Sequence, residues 1–199
     1  MVTIVIQSNA NKLKRVEIDV SEESLVQSEE FFLNYKFNRL TSDLRFVYDT
    51  LSFQFPNDND YSSIEKLWKS YSDARTVYDQ IRFLDLDGNE VIRVDYSSEG
   101  AYAIPKDQLQ NKSDRYYFQQ AIKLDQGQMY VSPADLNTEN GAIELPINPV
   151  IRLATPFIDQ IGVKRGIVVL NYSASDVLYQ IASLADSSNG YMYLLNNDG

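Results

Sequence analysis

Leu33, Phe37, Leu40, Leu44, Val47 and Leu51 follow one another at spacings of four, three, four, three and four. That rhythm puts all six on one stripe of a helix. Val26 extends the stripe upstream, across Glu30. Ser21 and Ser24 can cap its start, with Glu22 and Glu23 beside the positive helix end. Phe55-Pro56 and the polar run Asn57-Asp58-Asn59-Asp60 stop it. The spacing predicts a helix over about 22–54, roughly 50 Å long at 1.5 Å per residue. Two readings stay open: a stalk that carries a signal or a dimer contact, and an amphipathic helix docked on its own domain.

Ile64, Leu67, Trp68 and Tyr71 mark one side of a shorter helix, about Tyr61 to Tyr71. The period then changes to two. Residues 80–86 and 90–95 flank Asp87-Gly88-Asn89, which predicts a β-hairpin. A loop with Gly100 and Pro105 leads to a polar helix that starts at Gln108 or Ser113 and ends at Leu124. Residues 128–132 read as a short strand, and 133–149 as a loop rich in Asn, Pro and acids. Val150 to Ile158 and Gly166 to Tyr172 form a second strand pair. Ser173-Ala174-Ser175 then caps a helix with Val177, Leu178, Ile181 and Leu184 on one face. Hairpins separated by an inserted helix predict an antiparallel α+β sheet. Tyr191 to Gly199 repeats the pattern of Arg82 to Gly88, an apolar strand entering an Asp-Gly turn, and reads as the start of a second, similar module.

Composition narrows the chemistry. The 199 residues are 44% hydrophobic and 23% charged, as in a folded globular chain. A net charge of −10 argues against nucleic-acid binding. The chain has neither His nor Cys. Thiol nucleophiles, the usual zinc ligands and the commonest general base are therefore missing. No phosphate-cradling Gly loop or nucleophile elbow occurs. A non-enzymatic protein without catalytic residues, metal or cofactor is expected. No stretch approaches the ~20 apolar residues of a membrane span, and Val2 to Ile6 is too short and lacks a basic flank. The 14 Tyr suit a pocket or an interface.

Five segments in order resemble the double Cache sensor domains. They are Tyr78–Asp85 with Gly88–Val94, Asn111–Phe118, Tyr130–Asn137, Pro149–Pro156 and Gly166–Tyr172. The resemblance runs over roughly residues 25–199. It implies a long N-terminal helix, then a PAS-like antiparallel sheet with flanking helices, ending at the start of a second module. The implied division is 1–55 for the N-terminal region and long helix, 56–186 for a membrane-distal Cache module, and 187–199 for a linker and first strand of a membrane-proximal one. It also implies the periplasmic sensing part of a membrane receptor: a histidine kinase of a two-component system, a diguanylate cyclase or a chemoreceptor. The membrane would be reached only through segments outside this chain. The alternative is a ligand-free interaction module that dimerises through the long helix.

Amino-acid-binding members of that family carry an Arg, one spacer and two aromatics on the helix before the central strand. Arg115, Tyr117 and Phe118 match that spacing. An Arg at a pocket edge grips a carboxylate through two parallel hydrogen bonds, and aromatic walls exclude water. Tyr130 and Ser132 alternate onto one face of the next strand and are further ligand candidates. The family's acidic ammonium clamp corresponds to Ser132 and Asn171, both neutral. A carboxylate or another polar metabolite is therefore favoured over an amino acid. Arg93 and Arg152 lie within strands, as ligand groups or as structural ion pairs. Asp85 to Glu90 fails the EF-hand spacing and reads as a turn. Asn137 to Asn140 is an acidic, polar loop that could hold a cation weakly.

Overall fold

The computed structural model describes residues 27, 31–32, 34–56, 60–139, 141–175, 177–179 and 183. Its contacts divide the chain into two units, residues 1–42 and 43–199. In the first unit every described residue is helical. Thr41 and Ser42 donate their hydroxyls back to the carbonyls of Phe37 (2.9 Å) and Asn38 (3.0 Å). Leu40 is buried, whereas Phe31 and Tyr35 are exposed at 76% and 58%. Residues 22–26 and Leu33 of the expected helix lie outside the described residues, as does the repeat at 191–199.

The second unit opens with helix α1, residues 43–54, which ends before Pro56 as a proline demands. Helix α2 spans Ser62–Arg75, one turn longer than expected. Nine strands occur among the described residues. They are β1 (Tyr78–Asp85), β2 (Glu90–Ser97), β3 (Gly100–Ala103), β4 (Tyr130–Val131), β5 (Asp135–Leu136), β6 (Thr138–Glu139), β7 (Ala142–Ile143), β8 (Pro149–Ile158) and β9 (Lys164–Ser173). Helix α3, Tyr116–Ala121, lies between β3 and β4. The main sheet runs β3-β2-β1-β9-β8-β4, with β5 also on β8 and every pair antiparallel. Strands β6 and β7 pair only with each other.

The α+β class and the two long hairpins are as expected. Three details differ. Residues 100–103, expected as loop, form a strand because Gly100 (φ +106) turns the chain back and Asp73 accepts the Ala101 N–H at 2.6 Å. The polar helix shrinks to Tyr116–Ala121. Asn111 spends its side-chain oxygen on the Ser113 N–H (2.9 Å) and hydroxyl (2.6 Å), which competes with helical pairing. The 133–149 segment, expected as plain loop, carries β5, β6 and β7.

One sheet face is apolar. Ile81, Phe83, Ile92, Val94, Val168 and Leu170 are buried, as are Leu44, Val47 and Leu51 of α1 and Ile64 and Trp68 of α2. Each such side chain contributes roughly 1.5–3 kcal/mol on burial. Polar ties fix the helices on this face. The Trp68 indole donates to Thr50 Oγ1 (3.0 Å) and the Tyr48 hydroxyl to the Ile158 carbonyl (2.9 Å). Asp43 accepts from Arg75 and Tyr78, both at 2.6 Å. The lower half of the seam is thus core of its own unit. Gly166 lets β9 close on β1, since a Cβ there would stand 1.9 Å from the Leu84 carbonyl oxygen.

Candidate functional site

The other sheet face is split. At one end Leu84, Ala154, Ile167 and Val169 pack under Tyr117, Phe118 and Ala121 of α3. In the middle it is polar. Register sets Arg82 opposite Arg93 and Gln80 opposite Asp95 on the β1–β2 pair. Across the other side of β1, Gln80 meets Asn171, which in turn meets Arg152 on β8. All six side chains are buried. Two arginines directly opposed repel, so this register needs anions.

Those anions are Glu90, Asp95 and Glu139. The guanidinium of Arg93 grips both oxygens of Asp95, at 2.8 and 2.6 Å. Glu90 stands 3.1 Å from Arg82 Nε and accepts the Gln110 N–H at 3.0 Å. Glu139 arrives from β6, outside the main sheet. It accepts from Arg82, from Arg93 (2.8 Å), from Lys112 (3.2 Å), from Gln80 (3.2 Å) and from Gln110 (3.0 Å). Burial alone would raise its carboxyl, but Arg82, Arg93 and Lys112 together hold it down at about 2. Burial and the charge of Arg82 lower Lys112. The turn at Gly88 positions that lysine: the Lys112 N–H donates to the Gly88 carbonyl at 2.7 Å, and a Cβ on Gly88 would strike the Ser113 backbone at 2.7 Å.

A second cluster adjoins the first. Arg152 pairs with Asp135, donates to Asn137 Oδ1 (3.1 Å) and Tyr116 (3.4 Å), and lies 5.1 Å over the Tyr117 ring. The Tyr116 hydroxyl donates to Asp135 at 2.5 Å, and burial with that neighbour pushes it up to about 12. Asn171 donates to Gln80 Oε1 at 2.7 Å. Beyond them Asp79 accepts from Asn148 at 2.8 Å, and burial plus the charge of Glu144 raise it to about 6.

Of the residues singled out from sequence, the fold brings Arg93, Arg152, Tyr117 and Asn171 together. Tyr117 accepts from Arg82 at 3.3 Å. Phe118 belongs to the apolar end, with Tyr130 packed against it. Ser132 is occupied in pinning strands, accepting the Arg152 N–H (2.9 Å) and donating to the Pro133 carbonyl (2.7 Å). Arg115 is half-buried at the start of α3, and among the described residues its guanidinium makes no hydrogen bond or ion pair. Among the described residues, the sheet face beside Tyr117 carries the buried side chains of Arg82, Arg93 and Arg152 and the half-buried Glu139. Two surface hollows, each of about 420 Å³, lie elsewhere and meet at Phe55 and Arg165. Among the described residues no group of His, Cys, Asp and Glu is arranged to hold a metal.

Arg82, Gln80 and Lys112 were missed, while Asn137 and Glu139 were noted only as part of the polar loop suited to a cation. Arg82 had a signal, because counting back from the Asp87-Gly88 turn pairs it with Arg93. Glu139 had only the acidity of its loop as a signal, since that loop carries no period. Asp85 Oδ1 accepts the N–H groups of Asp87 and Asn89, both at 2.9 Å, so that segment is a turn as expected.

No curated protein matches the chain. Among solved structures, a domain of a sensory box/GGDEF family protein from Vibrio parahaemolyticus superposes with a TM-score of 0.64 at 26% identity, over 82% of this chain and 62% of that one. The extracellular domain of a protein described as a histidine kinase, vpHK1S-Z8, gives 0.61 at 25%, over 82% and 59%. The ligand-binding domain of the Campylobacter jejuni chemoreceptor Tlp3 shares the fold, with 0.63 at 13%, over 80% and 60%. The chain therefore spans about three fifths of the length of these structures. The family described as "Bacterial histidine kinase, sensor domain" matches residues 36–190, well over half of the 199, and the chain belongs to that family.

Proposed function

We propose that this chain is the extracytoplasmic sensing module of a transmembrane signalling receptor, and that it binds a small polar organic molecule on the charged face of its sheet without transforming it. The observation that carries this reading is the gathering of Arg82, Arg93 and Lys112 around one carboxylate beneath the β6–β7 hairpin. Buried ion pairs are a poor source of stability, because their desolvation offsets their attraction. A recognition role gives such a cluster a reason to exist. Family membership supports the receptor context. Tlp3 has been solved with isoleucine and with valine, so amino acids belong in any screen beside organic acids and sugars.

The test is thermal unfolding of the wild type and Arg93→Ala against such a panel. A ligand at a hundred times its Kd adds about 2.7 kcal/mol of stability. For a domain of this size that raises Tm by roughly 5–10 °C. One compound class should do so in the wild type and lose its effect in the variant. A panel without any response at 100-fold range, or an equal response in both proteins, refutes the reading. A second reading, homodimerisation through the N-terminal helix, draws on the exposed rings of Phe31 and Tyr35, four residues apart on one helical face.

A further inference from the structure

The anion at the centre of the cluster belongs to the least anchored part of the sheet-side cover. Strands β6 and β7 form a ladder only with each other. Two backbone bonds tie their base, Asn137 N–H to the Asn148 carbonyl (3.0 Å) and Glu144 N–H to the Asn137 carbonyl (2.9 Å). The apolar residues beyond β6 bury little, since Ile143, Leu145 and Ile147 are 55, 79 and 66% exposed. Glu144 and Asn137 add side-chain bonds at that base, Glu144 accepting from Asn137 (3.0 Å) and Asn148 (3.3 Å), while the side chain of β6 that reaches into the cluster is Glu139, bonded to Gln80, Arg82, Arg93, Gln110 and Lys112.

The charges explain why that carboxylate sits there. Arg82, Arg93 and Lys112 face Glu90 and Asp95, which β2 itself supplies. One positive charge is left over, and Glu139 neutralises it. Beyond its Cα, the Glu139 side chain is a propionate. We propose that Glu139 is a tethered stand-in for the sensed molecule: an organic acid takes its place among Arg82, Arg93 and Lys112, and the β6–β7 hairpin is released. This rests on the small-molecule reading above and adds the ligand class and the switch. The tether sets the threshold, because only an acid that outcompetes a permanently available carboxylate opens the hairpin.

The test uses the full chain as wild type, Glu139→Ala and Glu139→Gln. Sodium propionate is titrated in thermal unfolding, against sodium chloride and neutral propionamide at matched concentration. Glu139→Ala should be stabilised by propionate alone, at a concentration at least about tenfold below that needed by the wild type. Glu139→Gln, which keeps shape and loses charge, should respond likewise and covers the case in which the alanine variant does not fold. In the wild type, saturating propionate should speed amide exchange of residues 138–143. Equal propionate sensitivity in all three proteins, no response in either variant, or unchanged exchange overturns the proposal. A panel compound that stabilises wild type and variants equally also overturns it, while leaving the sensing role intact. Propionate rescue of the variants without any wild-type ligand supports the stand-in and removes the sensing role.

Discussion

Arg82→Met replaces a fully buried guanidinium by an apolar chain of similar length. Arg82 is 1% exposed and contacts Glu139, Gln80, Glu90 (3.1 Å) and Tyr117 (3.3 Å). Its loss leaves Glu90, whose side chain is wholly buried, with the Gln110 N–H at 3.0 Å, Arg93 at 3.8 Å and the more distant charge of Lys112. Removing one partner of a buried pair costs about 3–5 kcal/mol. Glu139 keeps Arg93 and Lys112, so the lower end, about 3 kcal/mol, applies. Urea unfolding measures it, with fluorescence of the buried Trp68 as the probe. With a slope of about 2 kcal/mol per molar urea, the midpoint falls by roughly 1.5 M. Arg82→Met/Glu90→Gln removes the stranded charge as well and should recover at least half of that. A single variant within about 0.3 M of wild type, or a double variant no better than the single, refutes the account of a charge-balanced cluster.

Asp79, raised to about 6 from its usual 3.8 by burial and Glu144, is favourable to folding when protonated. Its contribution is complete below pH 3.8 and is lost as pH rises through 6, with Asn148, Asn137, Asp95 and Arg82 also facing it. Asp79→Asn should therefore gain stability relative to wild type between pH 4 and pH 7, and a pH-independent difference in urea midpoints would contradict this. Leu44→Glu puts a charge where 3% of the surface is exposed and should unfold the monomer. Phe31→Ser/Tyr35→Ser should leave the fold intact. Loss of a sedimenting dimer in that double variant, and not stability, is what would favour the dimer reading.

Much of the fold was written locally. The four-three spacing of Leu40, Leu44, Val47 and Leu51 and the Asp-Gly turn before β2 are short-range signals, and both elements formed where expected. The helix around Tyr117 was overextended because Asn111 and Ser113 bond locally instead of propagating it. The site was half legible. Arg93 and Arg152 stood out by type and strand position, and Tyr117 and Asn171 through the family resemblance, yet what they touch depends on register across residues far apart in sequence. Glu139 showed only as one acid of a polar loop suited to a cation, since nothing in such a loop says that one carboxylate turns inward. The emphasis on Arg115 came from motif spacing, and the residue stands half-buried at the start of α3.

The middle of the sheet joins chain segments that are synthesised far apart, with Gln80 of β1 against Asn171 of β9. The meander β1–β2–β3 is local in sequence, whereas its inner border pairs with the distant β9. Pairings of such long range slow folding. Arg82 on β1 and Arg152 on β8 flank β9 in the sheet, so their dehydration should accompany the pairing of β9 with both strands. Charges at an unpaired border also discourage foreign strands from adding to it. Arg82 and Arg152 should therefore hinder foreign strands at these borders until β9 closes on β1.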